Sequence, residues 1–288
     1  MPDPALATAH LGAVTLTSTD AEGLGRFYEE VVGLRTLGRP GDEVVLGIHD
    51  ETGAPRELVR IVHDPDAPRV RGVNGLFHLA LLLPERRDLG HAVRRVMEGG
   101  AQLTGASDHF VSEALYLRDP EGNGIEIYRD RPRSEWRWNG EEVEMGTVPL
   151  DLQGVVDSAA ADAVTERHVP PGTTMGHVHL AIADLERAEP FYREILGLDL
   201  TVRYERQATF LSWGGYHHHL GMNVWGGHGL IPPPPGVTGL RTFEVVVPED
   251  QARAALVARA AAIDAVLAQE DGVAVLRDPS GLLVRVRG

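Results

Sequence analysis

The sequence predicts an α+β protein built from four βαβββ modules, which pair into two curved sheets that each form an incomplete barrel around a cleft. Internal repeats of two kinds indicate this architecture. In the first, RFYEEVVGLRTL (26–37) returns as PFYREILGLDLT (190–201), and both read as a helix end, a glycine C-cap and a strand. In the second, a strand and helix that begin at Gly75 are repeated from Gly239. Short β segments separated by turn signals follow each opening.

The modules fall into two halves of the chain. Their expected ranges are 8–64, 72–130, 174–228 and 237–288. The first two modules form the half 1–130 and the last two form the half 174–288, with a connector at 131–173. The connector contains Trp136 and Trp138, and we expect these large apolar side chains to pack it against the body of the protein.

Single residues mark the ends of the repeated helices. Asp20 and Asp184 precede the two helices and are suitable N-caps. Gly33 and Gly197 are the predicted C-caps. Pro190 falls inside the second helix, which is therefore expected to be short or kinked.

Composition excludes several classes of function. A net charge of -15 argues against a polyanionic partner such as nucleic acid. No apolar run reaches the roughly 18 residues of a membrane span, and the first residues lack the basic start and apolar core of a signal peptide, so a cytoplasmic location is expected. The chain has 13 His and no Cys, which leaves imidazole and carboxylate as the good transition-metal ligands.

The two copies of a DPxG turn differ at one chemically important position. Seven residues after Asp119 the strand carries Glu126, whereas seven residues after Asp278 it carries Arg285. An unpaired carboxylate between apolar neighbours is costly when buried, and metal ligation removes that cost. The alternative is that Glu126 faces solvent on a strand edge.

These motifs resemble the vicinal-oxygen-chelate superfamily, which includes glyoxalases and type I extradiol ring-cleaving dioxygenases. The resemblance rests on the four modules, the FYxExxGL helix ends and the DPxGNxIEIY strand, and it spans nearly the whole chain. Three stretches are similar to the catechol-2,3-dioxygenase-like branch in particular, namely GLFHLALLLPERRDL, DHFVSEALYLRDPEGNGIEIYRDRPRSEW and GGYHHHLGMNVW.

The resemblance implies a metal site of two histidines from first strands and one glutamate from a last strand. The first strands of the four modules offer, in chain order, Ala13, His78, His177 and roughly Leu240. Only modules two and three complete the set, with His78, His177 and Glu126, so we expect these two modules to pair around the metal cleft. Arg285 then marks a module without a site. Two imidazoles and one carboxylate on one face of Fe(II), or of Mn(II), leave positions open for a diol and dioxygen.

The strands by themselves leave other roles open for these histidines. His78 lies in a strand that is apolar on both faces, where a core imidazole bonded to backbone is the simpler alternative. His177 and His179 share a face by the two-residue period of a strand, and one can merely support the other. The resemblance assigns the ligand role to His177, which makes His179 a pocket or supporting residue.

GGYHHHLGMNVW contains three consecutive histidines and is predicted to be a strand. Alternation would turn His217 and His219 to one side and His218 to the other. By resemblance, His218 acts as the acid–base group beside bound oxygen, because imidazole titrates near neutrality. His217 and His219 are candidates for substrate contact. Which of the three faces the metal stays open, and the alternative for each is the cleft wall or solvent.

Further pocket residues are implied by the same resemblance. Tyr116 stands ten residues before the glutamate, where the family carries a tyrosine that hydrogen-bonds the substrate; its alternative role is packing in the sheet. DHFVS resembles a stretch that closes the mouth of the active site, which nominates His109 and, second to it, Asp108. Asn223 and Trp225 are expected in the pocket wall, with core packing as the alternative.

Three functions are compatible with the sequence. The resemblance implies an Fe(II)-dependent dioxygenase that opens a catechol-type ring with O2, and the family habit is a homodimer or homotetramer. The second is a metal-dependent isomerase or lyase of the glyoxalase kind, which usually needs a second metal carboxylate that the histidine-rich strand does not offer. The third is a metal-free binding protein of the same fold, in which nothing would require two histidines and a glutamate.

Overall fold

A computed structural model describes residues 4–162 and 165–288. The first three residues of the N-terminal segment, and residues 163–164 of the predicted connector, lie outside the described residues. No helix within the described ranges is both long enough and apolar enough to span a bilayer.

Strands account for most of the regular structure. Those of 4–130 are β1 (His10–Ser18), β2 (Arg35–Gly38), β3 (Glu43–His49), β4 (Pro55–His63), β5 (Gly75–Leu83), β6 (Leu103–Asp108), β7 (Ser112–Arg118) and β8 (Gly124–Asp130). The following segment adds β9 (Trp138–Asn139), β10 (Glu142–Val143) and β11 (Val148–Pro149). The remaining strands are β12 (Thr174–Ala181), β13 (Asp199–Tyr204), β14 (Ala208–Ser212), β15 (Leu220–Asn223), β16 (Gly239–Val246), β17 (Val266–Glu270), β18 (Val273–Arg277) and β19 (Leu283–Arg287).

Short helices connect the strands. The α-helices are α1 (Ala21–Phe27), α2 (Arg86–Glu98), α3 (Leu152–Ser158), α4 (Leu185–Pro190) and α5 (Asp250–Ala261). Single π-helical turns extend two of them, Tyr28–Val32 after α1 and Phe191–Ile195 after α4. Two 3-10 turns cover Pro4–Leu6 and Arg133–Glu135.

Two large sheets form the body of the protein. The eight-stranded sheet has the order β17-β18-β19-β16-β1-β4-β3-β2, and the nine-stranded sheet has the order β11-β6-β7-β8-β5-β12-β15-β14-β13. At the centre of each, the first strands of two modules pair antiparallel, β1 with β16 and β5 with β12. The eight-stranded sheet therefore joins the first and last modules, and the nine-stranded sheet joins the second and third. The predicted α+β fold with two curved sheets is confirmed.

The helix-end signals behave as the sequence predicts. The Asp20 carboxylate accepts a hydrogen bond from Gly23 N–H at 2.8 Å, and Asp184 caps α4 in the same way. Gly33 and Gly197 follow the π turns with φ of 92° and 73°, a backbone region that strains other residues. Helix α4 ends at Pro190.

Alternation along the central strands separates the core from a polar face. Leu79 and Leu81 of β5 belong to a hydrophobic cluster that runs through both sheets, whereas His78 and Ala80 lie on the opposite face. The same cluster includes Val178 from the partner strand β12. The core therefore lies where the two sheets pack together, and each concave face points away from it.

Tyrosines of the FY motifs fasten the two sheets to each other. The Tyr28 hydroxyl, from the eight-stranded half, donates to the Asp119 carboxylate in the turn between β7 and β8 at 3.4 Å. The Tyr192 hydroxyl, from the other half, donates to Asp278 between β18 and β19 at 2.7 Å. Both repeated motifs, FY and DPxG, thus meet across the molecule.

The connector packs on the body through some of its apolar residues. Trp136 is buried and donates from its indole N–H to the Arg131 carbonyl at 3.0 Å, while Trp138 is exposed. Helix α3 lies against α2, where Gly90 approaches Val155 so closely that an added Cβ would come 2.6 Å from the Val155 carbonyl oxygen.

Candidate metal centre and active site

Strand register places a row of side chains across the concave face of the nine-stranded sheet. Tyr116 lies opposite Glu126, Glu126 opposite Ala80, and Ala80 opposite His177. His78 precedes Ala80 by two residues on the same strand and shares its face. Because Ala80 contributes only a methyl group, it leaves space at the centre of the row for its larger neighbours to converge.

Three buried side chains meet at one point in this space. His78 Nε2 lies 3.0 Å from Glu126 Oε2, His177 Nε2 lies 3.1 Å from the same oxygen, and the two nitrogens are 3.2 Å apart. If both imidazoles carried protons for the carboxylate, two N–H groups would be forced side by side. A cation satisfies all three electron-pair donors at once. In the described part of the chain, no other group of three or more potential ligands comes this close together.

The size of the triangle fits a metal ion. Adjacent ligands at about 2.1 Å from a metal lie about 3.0 Å apart in an octahedral arrangement and about 3.4 Å apart in a tetrahedral one. The observed separations of 3.0–3.2 Å fall in this range. Two histidines and one carboxylate would therefore hold a divalent metal beside the cavity.

Protonation states also suit a cation. Burial lowers the pKa of His177 to about 4, against the opposing influence of Glu126, so its imidazole is neutral near pH 7. Burial by itself would raise the pKa of Glu126, but the adjacent His177 and His78 outweigh it and hold that pKa well below its usual range. Neutral imidazole and ionised carboxylate are the forms that bind metal.

His179 shares the face of His177 but is engaged elsewhere. The Asn223 side-chain oxygen accepts a hydrogen bond from Trp225 N–H at 3.1 Å, so its amide N–H₂ is directed to His179 Nε2, at 2.9 Å. That nitrogen is thereby occupied as an acceptor, and His179 forms part of the cavity wall. Asn223 is fully buried behind it and does not line the cavity, so its position matches the alternative of core packing and not the predicted pocket wall.

Tyr116 and His109 form a hydrogen-bonded pair at the cavity wall. His109 Nδ1 lies 2.6 Å from the Gly146 carbonyl and must donate to it, so His109 Nε2 accepts from the Tyr116 hydroxyl at 2.7 Å. The Tyr116 oxygen then keeps its lone pairs for a donor in the cavity. Burial, and next Glu126, raise the pKa of Tyr116 well above its usual value, which keeps the hydroxyl protonated. Asp108 instead pairs with Arg131 outside the cavity, at 2.5 Å.

The three consecutive histidines lie in a loop before β15, and the predicted strand for them is wrong. His218 lines the cavity, with its ring centroid 4.1 Å from that of His177. His217 and His219 do not line it, because their rings have partners behind the wall: Asp130 for His217, and Ser212 with the Trp213 N–H for His219. Burial lowers the pKa of His218 well below its usual value, so the ring is neutral.

A cavity of about 690 Å³ opens above the three candidate ligands. Aromatic side chains form much of its wall, including Phe77, Tyr204, Phe210 and Trp225. The sequence predicted Trp225 in this wall but did not single out the other three. The connector adds Met145 and Thr147, which also were not predicted. Only Phe77 had an available signal, since it precedes His78 in the quoted strand motif.

The eight-stranded sheet has different residues at the matching positions. In the nine-stranded sheet, His78 pairs with His179. The corresponding pair in the eight-stranded sheet is Thr242 of β16 with Thr15 of β1. Thr242, and not the predicted Leu240, therefore corresponds to His78. Arg285 corresponds to Glu126 and pairs with Glu244 at 3.4 Å. This sheet therefore lacks the constellation, as expected from Arg285.

Comparison with known proteins agrees with this fold and constellation. Residues 13–128 match the family model described as a glyoxalase-like domain, and residues 174–286 match the glyoxalase/bleomycin resistance protein/dioxygenase superfamily. The chain belongs to this superfamily. More narrowly, it belongs to the catechol-2,3-dioxygenase-like branch: it is 39% identical over 246 residues to the catechol-2,3-dioxygenase of Bacillus subtilis, covering 84% of each chain.

Solved structures share the fold at much lower sequence identity. A putative dioxygenase from Bacillus subtilis superposes with a TM-score of 0.65 at 15% identity, covering 96% of this chain and 84% of that one. Glyoxalase I from Zea mays superposes with a TM-score of 0.59 at 15% identity, covering 97% and 92%. At such identities the likeness concerns the fold alone.

Proposed function

We propose that the protein is a non-haem Fe(II)-dependent extradiol dioxygenase that cleaves a catechol-type aromatic diol with O2. The observation that carries the proposal is the triangle of His78, His177 and Glu126 at the floor of a cavity with aromatic walls. The 39% identity to a catechol-2,3-dioxygenase supports it. Fe(II), or Mn(II) in its place, would be held by these three residues and would supply coordination positions for the diol and O2, while the electrons that reduce O2 come from the diol itself.

The residues around the triangle have complementary tasks. Phe77, Phe210 and Trp225 bind the faces and edges of an aromatic ring and exclude water. His218, neutral and beside His177, takes the proton of a substrate hydroxyl at a ring nitrogen and later returns it. The Tyr116 oxygen, whose proton is directed to His109, accepts a hydrogen bond from the second hydroxyl and orients the diol.

A glyoxalase-like isomerase or lyase is the second candidate, and the fold alone permits it. Its chemistry usually needs a second carboxylate on the metal. Among the described residues, the ligand group contains Glu126 as its one carboxylate. The donor set therefore favours the dioxygenase, and a metal-free binding protein would leave three converging donors without a purpose.

The test is oxygen uptake by protein reconstituted anaerobically with Fe(II). Elemental analysis first establishes the bound metal. We expect stoichiometric oxygen consumption and a yellow ring-opened product with catechol or a 4-substituted catechol. His177→Ala should lose both metal and uptake, while His49→Ala, on the exposed end of β3, serves as the matched control. Full metal loading without oxygen uptake on any diol would refute the dioxygenase and favour an isomerase.

A further inference from the structure

His218 has a fixed orientation that follows from its neighbour in the chain. Its Nδ1 lies 2.7 Å from Nδ1 of His217, so this nitrogen faces the protein interior. Nε2 is the ring nitrogen that remains for the cavity, which His218 lines. A hydrogen bond between two imidazole nitrogens requires that one carries a proton and the other does not. The direction of this bond therefore decides whether the nitrogen in the cavity is an acid or a base.

Asp130 decides the direction. His217 Nε2 lies 2.9 Å from Asp130 Oδ1, and a carboxylate oxygen can only accept, so His217 carries its proton on Nε2. In a neutral His217 ring, Nδ1 is then a lone-pair acceptor, so His218 must donate from its own Nδ1. In a neutral imidazole this leaves His218 Nε2 without a proton. The cavity thus faces a nitrogen lone pair, which can accept a hydrogen bond.

The surroundings of Asp130 support this role. Asp130 is the last residue of β8, the strand that carries Glu126, so one rigid element positions both carboxylates. The Tyr216 hydroxyl also donates to Asp130 Oδ1, at 3.2 Å, and His217 is fully buried between its two partners. The Asp130 side chain keeps 23% of its surface exposed. A hydrogen-bonded chain therefore runs from the cavity through His217 to solvent.

We infer that Asp130 and His217 are positioning residues that fix the tautomer of His218 and connect it to solvent. The inference rests on the proposed function, in which His218 takes a substrate proton. The fixed tautomer directs the lone pair of His218 Nε2 at the cavity, where a substrate hydroxyl can donate a hydrogen bond to it.

Nuclear magnetic resonance of the ¹⁵N-histidine-labelled, metal-free full chain tests the tautomer directly. We expect His218 to be protonated at Nδ1 and His217 at Nε2, with signals assigned from single histidine variants. Asp130→Ala should shift His218 toward the Nε2-protonated form, and Asp130→Glu should largely preserve the native form. Glu135→Ala, at an exposed carboxylate of the following turn, should change neither signal. A native His218 protonated at Nε2 would overturn the inference, whatever the variants do.

Kinetics separate this inference from the proposed function. With the Fe(II)-loaded enzyme, Asp130→Ala should lower kcat about 10- to 100-fold while KM changes less than about twofold, since the diol still binds the same walls. Normal oxygen uptake by the native enzyme, with unchanged kcat and tautomer in Asp130→Ala, refutes the inference and leaves the dioxygenase intact. Absence of oxygen uptake in the native enzyme refutes the dioxygenase, and with it the catalytic part of the inference.

Discussion

The two sheets have a similar arrangement of strands but carry different residues at corresponding positions. In the nine-stranded sheet, the row across the concave face is Tyr116, Glu126, Ala80 and His177. In the eight-stranded sheet, Val275 pairs with Arg285 and Arg285 pairs with Glu244, whose carboxylate accepts from the Ala13 N–H at 3.3 Å. One row holds a small residue at its centre and a carboxylate beside it, and the other holds the carboxylate at the centre.

This difference shows how one scaffold either creates or removes a metal site. Glu244 pairs with Arg285 and, at 2.9 Å, with Arg287, so its charge is neutralised by neighbours within the sheet. Glu126 is only 3% exposed and has two imidazoles but no arginine or lysine within salt-bridge distance among the described residues. Burying a carboxylate without a fixed cation beside it costs free energy, and a bound metal ion would remove that cost.

Loss of the glutamate ligand should give the largest contrast between the sheets. Glu126→Gln keeps the shape but removes the charge, and because three ligands share the total binding energy, we expect a roughly 10²–10³-fold weaker metal affinity. The matched variant in the other sheet, Glu244→Gln, should leave affinity unchanged. Metal titration by calorimetry measures both. Equal affinities for Glu126→Gln and the native protein would refute the assignment of the site.

The two DPxG aspartates should differ in their effect on stability with pH. Burial, against hydrogen bonds from Tyr192 and the backbone, raises the pKa of Asp278 to about 6. The protonated Asp278 side chain therefore stabilises the folded protein fully below about pH 3.9, the pKa of aspartate in the unfolded chain. This contribution, up to about 3 kcal/mol, is lost as pH rises through about 6. Asp278→Asn, neutral throughout, should therefore gain stability relative to the native protein by up to that amount between pH 4 and pH 7.

Urea unfolding at several pH values measures this gain. Asp119→Asn at the equivalent turn is the control. The pKa of Asp119 is also raised by burial, against hydrogen bonds from Asn123, and we expect a smaller dependence there. A difference between Asp278→Asn and the native protein that does not vary with pH would contradict the raised pKa.

Glycines at matching positions of the central strands should respond unequally to an added methyl group. A Cβ at Gly176 would lie 1.8 Å from the Tyr128 hydroxyl, which is fully buried and bonded to Tyr216. A Cβ at Gly12 would lie 2.7 Å from a carboxylate oxygen of Glu244, a more flexible group. We expect Gly176→Ala to cost about 2–3 kcal/mol and Gly12→Ala about 1 kcal/mol. Denaturant unfolding of both variants checks the order, and the reverse order would contradict it.

The hydrogen bonds from Tyr28 and Tyr192 to the DPxG aspartates should give the smallest difference in stability between the two sheets. Tyr192→Phe removes a 2.7 Å hydrogen bond to Asp278, whereas Tyr28→Phe removes a 3.4 Å bond to Asp119. Because the first bond is short and buried, we expect a loss of about 1.5 kcal/mol in the free energy of unfolding for Tyr192→Phe, and about 0.5 kcal/mol for Tyr28→Phe. Thermal unfolding of the two variants side by side provides the measurement. Equal losses would mean that the length of the hydrogen bond does not determine its contribution to stability here.

Local sequence determined the elements, and the resemblance to the superfamily identified the candidate ligands. The N-caps Asp20 and Asp184 and the positive-φ glycines Gly33 and Gly197 could be predicted because capping and turn conformation depend on adjacent residues alone. The repeats predicted the strands on which His78, Glu126 and His177 lie, since the alternation of apolar residues is also local.

Tertiary structure decided how these elements meet. That β5 pairs with β12, that the connector brings Gly146 to His109, and that His217 to His219 form a loop bonded to Asp130 all depend on contacts between residues distant in sequence. The sequence nominated His217 and His219 for substrate contact, because nothing local shows that their rings bond to residues behind the cavity wall. The sequence by itself therefore supplied the donor groups. Long-range packing determined the distances between them and which ring nitrogens carry a proton.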